Sequence, residues 1–141
     1  MVANPSDAEL KQILQRYRRV AVVGLSDKPS RPSYGVAAYL LRAGYEIVPV
    51  NPTIEATLGR QAVDSVREVP PPVEIVDVFR RPEDVPPVVE DAIAAGAKVL
   101  WLQEGIVNEA AAERARQAGL VVVQDRCLMK EHRRLVAPPA A

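Results

Sequence analysis

One cysteine, one histidine, one tryptophan and one phenylalanine in 141 residues leave little material for several kinds of chemistry. Cys127 alone cannot close an internal disulfide, and no cluster of Cys and His stands at metal-ligand spacing, so no metal is expected. Charge of one sign is not in excess either. Eighteen basic residues balance eighteen acidic ones, which excludes the global basic surplus of nucleic-acid or anionic-membrane binding. Any anion site must therefore be local. No apolar run approaches the ~20 residues that span a bilayer. The opening Met-Val-Ala-Asn-Pro-Ser-Asp also lacks the basic and apolar regions of a signal peptide, so a cytoplasmic location is expected. Two phosphate signatures are missing as well. Without G-x-x-x-x-G-K-[ST] the chain is no ordinary P-loop NTPase, and without G-x-G-x-x-G a dinucleotide cofactor loses its main support.

What is present is a chain of 48% hydrophobic residues, enough for one well-buried domain and too short for two, so residues 1–141 are expected to form a single unit. Its organising stretch is Arg19 to Gly35. Val20-Ala21-Val22-Val23 suits a strand covered on both faces, Gly24 marks a sharp turn or a close backbone approach, and a polar loop then leads into a helix. Around it the pattern alternates. Ser6 and Glu9 form a capping box for an opening helix, Ser33 is the expected N-cap of a second helix that Gly44 stops, and Tyr45 to Val50 is a strand ended by Asn51-Pro52. Residues Thr53 to Pro72 read as a connecting segment with a short strand near Arg60 to Ala62 and a helical turn from Asp64 to Glu68. Strands at Glu74 to Phe79, Lys98 to Leu102 and Leu120 to Val123 alternate with helices ending near Gly96 and Gly119. The tail over 135–141 is expected to fray. Such alternation predicts an α/β protein with three layers, a doubly wound Rossmann-like fold on a mainly parallel sheet.

In sheets of this kind ligands bind beyond the carboxyl ends of the strands, where strand order reverses. The residues there are Gly24 to Lys28 with Arg31, then Asn51-Pro52, Phe79-Arg80-Arg81, Gln103-Glu104-Gly105 and Gln124-Asp125-Arg126. Five cations, Lys28, Arg31, Arg80, Arg81 and Arg126, thus follow strand ends in a neutral chain. Beside a helix N-terminus they suit a pyrophosphate or several phosphates. The second strand ends in Val50-Asn51-Pro52 and lacks the acidic residue that usually receives a ribose, which counts further against NAD. Glu104 and Asp125 are candidate acid or base groups without a nucleophile beside them. Trp101 and Cys127 are expected in the core, and His132, in a basic tail, in solvent.

Taken together, Val22 to Ser26, Lys28-Pro29-Ser30-Arg31-Pro32-Ser33, Val48 to Pro52, Asp77 to Pro82, Trp101-Leu102-Gln103 and Asp125-Arg126-Cys127 resemble the small stand-alone CoA-binding proteins. These are similar in turn to the N-terminal CoA-binding domain of the succinyl-CoA synthetase α subunit. The resemblance runs from about Val20 to His132. It implies coenzyme A or an acyl-CoA as the small-molecule ligand. It places the ligand's phosphates against Gly24, Leu25, Ser26, Lys28, Ser30, Arg31, Pro32, Ser33 and Tyr34, with Asn51 and Pro52 bordering the nucleotide and Phe79, Arg80 and Arg81 alongside. No catalysis is expected. A CoA-dependent enzyme, or a separate-chain component of an acyl-CoA ligase, is the first alternative, and fold analogy alone supplies a second, an NAD-responsive binding module. Neither nucleic acid nor membrane is an expected partner, while a protein partner or a homo-oligomer is left open.

Overall fold

Runs such as Val20 to Val23 and Val99 to Leu102 are apolar at every position because both faces of their strands are covered. In the computed structural model, which describes residues 2–137, these runs form the centre of a five-stranded sheet. Its strands are β1 (Arg19–Val23), β2 (Glu46–Val50), β5 (Ile75–Val78), β6 (Val99–Leu102) and β7 (Val121–Val123), in the order β2-β1-β5-β6-β7. Every pairing in it is parallel. Val20 and Val22 point to one face, together with Trp101 and Val123, and meet the buried residues of α1 (Asp7–Arg16), α2 (Pro32–Arg42) and α5 (Leu128–Leu135). Ala21 and Val23 point the other way, toward α3 (Val85–Ala94) and α4 (Glu109–Gln117). The three expected layers follow from this two-residue alternation.

Between β2 and β5 the chain adds a short antiparallel pair, β3 (Ala56–Thr57) and β4 (Arg60–Gln61), and a turn of 3-10 helix over Val66–Glu68. The strand and helical turn expected there are present, whereas β3 carries too short a pattern to be read from sequence. Val63 continues the sheet past β2, exchanging backbone hydrogen bonds with Pro49 and Asn51.

The capping box at the start of α1 forms as expected, with the Ser6 side chain accepting from the Glu9 amide and the Glu9 carboxylate accepting from Ser6. Two expectations about helices are corrected. Ser33 is not the N-cap of α2; that position is Arg31, because Pro32 takes the first helical position, where its missing N–H costs nothing. His132 is not solvated but 5% exposed within α5. The Tyr39 hydroxyl lies 2.7 Å from its Nδ1 and the Tyr39 and Tyr45 rings meet it edge-on, so by this face α5 packs against α2 and the turn that leads into β2. Burial and the neighbouring Arg18 push the His132 pKa below its ordinary value. Arg134 then ties α5 to α1 through two 2.8 Å bonds to the Asp7 carboxylate. The helix reaches Leu135, and residues 138–141 of the expected frayed tail lie outside the described residues.

Candidate functional site

The sheet order reverses between β1 and β5, and the first residue beyond each of those strands is pinned to a neighbouring strand. Gly24 donates its amide to the Val50 carbonyl at 2.8 Å, and Phe79 donates to the Val23 carbonyl at 2.8 Å. Gly24 has φ +85, and a Cβ built on it would stand 2.3 Å from the Phe79 carbonyl oxygen. No side chain fits there. The glycine thus lets the chain leave β1 directly over the end of β5, which opens a crevice at the switch point.

The loop that follows is held by its own serines. Ser33, reaching back from α2, accepts the Ser26 amide at 3.0 Å, and Ser26 Oγ accepts the Lys28 amide at 3.0 Å. From the opposite wall the Asn51 amide donates to the Leu25 carbonyl at 3.0 Å while its Oδ1 accepts from Thr53. Thr57, on β3, donates to the Ser26 carbonyl at 3.1 Å. The backbone around Ser26 is therefore fixed from three directions.

This framework borders a cavity of about 380 Å³, lined by Gly24, Ser26, Asp27, Lys28, Arg31, Pro32, Ser33, Asn51, Thr53, Ile54 and Phe79. Its electrostatics favour an anion. Lys28 and Arg31 outweigh Asp27 by one charge, and α2 presents an N-terminus with no side-chain cap and no acidic residue in its first turn. That helix end adds roughly half a positive charge and the Ser33 amide, since Pro32 has no N–H and Tyr34 and Gly35 donate to the Arg31 carbonyl.

Eight of the fourteen expected site residues line the cavity: Gly24, Ser26, Lys28, Arg31, Pro32, Ser33, Asn51 and Phe79. Six lie elsewhere. Leu25 is buried in the core and Tyr34 is half-buried on α2, while Ser30 is exposed on the loop and Pro52 faces a neighbouring hollow. Arg80 is half-buried beside Phe79, and Arg81 turns outward to Asp84 and Glu83, at 3.1 and 3.3 Å. Of the five cations only Lys28 and Arg31 line the cavity, and Arg126 is exposed, donating to the Asp125 carbonyl. Thr53, Ile54 and Thr57 went unread in the sequence. The Asn51-Pro52-Thr53 run was the available signal, since Asn before a turn accepts the amide two residues on.

A second groove, of about 720 Å³, shares Pro32 and Phe79 with the first and runs past Val36 and Ile106 to Gln103 and Cys127. The candidate acid and base groups are engaged near it. Glu104 pairs with Lys130 at 2.7 Å, and Asp125 accepts the Gly105 amide at 2.7 Å. Cys127 and Trp101 are buried as expected, the indole donating to the Arg126 carbonyl.

A positively biased cavity at the switch point fits what the comparison with known families finds. The model of the CoA binding domain matches residues 18–133. The chain belongs to this CoA-binding family. It is similar to the uncharacterized protein YneT of Bacillus subtilis (strain 168), 50% identical over 129 residues that make up 92% of this chain and 96% of that one. A hypothetical protein from Pyrococcus horikoshii OT3 superposes with a TM-score of 0.92 at 42% identity, covering 96% and 98% of the two chains. A dinucleotide-forming acetyl-coenzyme A synthetase of Ca. Korarchaeum cryptofilum matches at a TM-score of 0.67 and 28% identity, over 74% of this chain and 25% of that much longer one. Among the described residues no helix is long and apolar enough to cross a membrane.

Proposed function

We propose that this protein binds coenzyme A or an acyl-CoA by its phosphates at the carboxyl edge of the sheet, and performs no chemistry on it. The observation that carries the reading is the cavity where the uncapped N-terminus of α2, Lys28 and Arg31 converge on a loop whose backbone is already fixed. Pre-ordered donors spare a ligand the entropy of arranging them. Membership of the CoA binding domain family supports CoA over other phosphate ligands. Similarity to one quarter of an acetyl-coenzyme A synthetase chain supports a holding role for this domain. Glu104 and Asp125, the candidate acid and base, are engaged by Lys130 and the Gly105 amide, which supports binding over turnover.

Thermal melts with added ligand test this. At a hundred times its dissociation constant a ligand adds ~2.7 kcal/mol, which for a chain of this length corresponds to a rise of about 9 °C. CoA is expected to give such a shift, and NAD and ATP far smaller ones. No shift with millimolar CoA, or an equal one with NAD, overturns the proposal.

A further inference from the structure

Glu9 and Arg16 are exposed on α1 and make no ion pair among the described residues, yet they stand in one line along the helix. Seven residues bring a helical side chain back to within about 20° of its starting direction and about 10 Å along the axis. Glu9 spends one carboxylate oxygen on the Ser6 cap and keeps the other, while Arg16 stands 5.4 Å from the centre of the Tyr17 ring. Gln12 and Ile13, between them, line a groove of about 550 Å³ together with Tyr17 and Val121. Val121 is 41% exposed and opens β7, an edge strand of the sheet. An uncovered apolar side chain on a sheet edge invites association, and proteins usually block it. The other end of β7 is blocked, because the Asn4 side chain exchanges two 2.8 Å bonds with the Gln124 backbone. Among the described residues no such cover reaches the Val121 end.

We infer that this face of α1, with Val121, is the contact surface for a second copy of the chain. A two-fold axis passing between Gln12 and Ile13 sets the two α1 helices antiparallel. Glu9 then meets the partner's Arg16, Arg16 meets the partner's Glu9, and the stem of Gln12 covers the partner's Ile13. The order of charges along the helix is complementary to itself only in this sense. A parallel pairing would set Glu9 against Glu9 and Arg16 against Arg16, so the charges select the antiparallel one. The surface is small and its ion pairs are exposed, which makes the association weak and dependent on concentration. Tyr17 lies just before β1 and Val121 at the start of β7, whereas the phosphate cavity lies beyond the strands' carboxyl ends. The contact therefore leaves that cavity open and does not rest on the CoA reading.

Sedimentation velocity from micromolar to millimolar protein tests this. The wild type is expected to pass from one chain toward two as its concentration rises, and to do so less in high salt. Arg16→Glu and Glu9→Arg each set like charges together at both contacts and should weaken association roughly tenfold or more. An equimolar mixture of the two variants, and the double variant carrying both changes, restore opposite charges at each contact and should associate like wild type. Val121→Lys leaves α1 and its cap intact and should also weaken association, which keeps the test open if Glu9→Arg, by removing the cap, fails to fold. A wild type that stays a single chain at millimolar concentration and low salt overturns the proposal and leaves this face to a different partner. Association that Arg16→Glu and Val121→Lys leave unchanged, or a mixture of folded variants that does not associate, overturns it as well.

Discussion

Replacing Gly24 by alanine adds one methyl group at the point where β1, β5 and the phosphate cavity meet. Its Cβ would stand 2.3 Å from the Phe79 carbonyl oxygen, where ordinary contact begins at 3.4 Å, so something must move by about an ångström. The neighbouring bonds resist. Phe79 is held by its amide bond to Val23 and Gly24 by its own to Val50, both at 2.8 Å. A non-glycine residue at φ +85 costs about 1–3 kcal/mol, and overpacking adds about as much, for a combined loss of about 2–6 kcal/mol. With ~2.1 cal/mol/K of unfolding entropy per residue, the melting temperature should fall by roughly 7–20 °C. Gly35→Ala is the internal control. Gly35 lies in α2, where an added Cβ meets nothing within 4 Å, and alanine there should stabilise by about 0.5–1 kcal/mol. Calorimetric melts of the two variants therefore move in opposite directions. A Gly24→Ala protein melting within 3 °C of wild type would refute the close-approach argument.

Asp77 stands in β5 with both carboxylate oxygens buried and unpartnered among the described residues, and burial raises its pKa well above the ordinary value. The folded state then keeps a proton that the unfolded chain has released, so stability falls as pH rises above about 4 toward the folded pKa. Asp77→Asn should melt higher than wild type at pH 7, with the difference shrinking as pH approaches 4. His132 has the opposite sense: its lowered pKa means that the unfolded chain binds the proton first, so its contribution is present above about pH 6.5 and is lost as pH falls through the folded value. His132→Gln should flatten the fall of the melting temperature below about pH 6.5. Ser33→Ala removes the acceptor of the Ser26 amide and should cost about 1 kcal/mol in stability along with weaker CoA binding, measured by titration calorimetry. Lys28→Ala and Arg31→Ala should each weaken CoA binding and reduce its dependence on salt, whereas Arg81→Ala, whose partners are Asp84 and Glu83, should bind CoA like wild type.

The layers, the parallel sheet and the crevice at its switch point were legible because each rests on local signals: apolar runs, capping residues and the glycines and prolines between them. Side-chain partnerships were less so. Arg80, Arg81 and Arg126 follow strand ends as surely as Lys28 does, but position along the chain fixes only the edge of the sheet a residue reaches. Arg81 has carboxylates two and three residues ahead, and the short path to Asp84 decides its direction. His132 was misplaced for a related reason. Its neighbours Glu131, Arg133 and Arg134 make the segment read as a solvated tail, yet polar residues at adjacent positions on a helix face different ways. One face of α5 meets Tyr39 and Tyr45, and the other carries Arg134 to Asp7.

Ser33 presents the sharpest case, because its misassignment changes how the phosphate loop works. As an N-cap it would have spent its oxygen on its own helix. Pro32 at the first helical position moves the cap back to Arg31, whose side chain makes no capping bond, and so frees Ser33 Oγ to accept the Ser26 amide seven residues earlier. Both consequences favour an anion. The Ser33 amide stays free at the helix end, and the long turn after Gly24, which as bare chain would cost a ligand much ordering entropy, is closed by a side chain instead. Proline before serine was visible in the sequence all along. Read as a rule about which position caps the helix, it identifies Ser33 as a strut of the loop, and the departure from a compact glycine fingerprint becomes a different way of holding the same kind of backbone still.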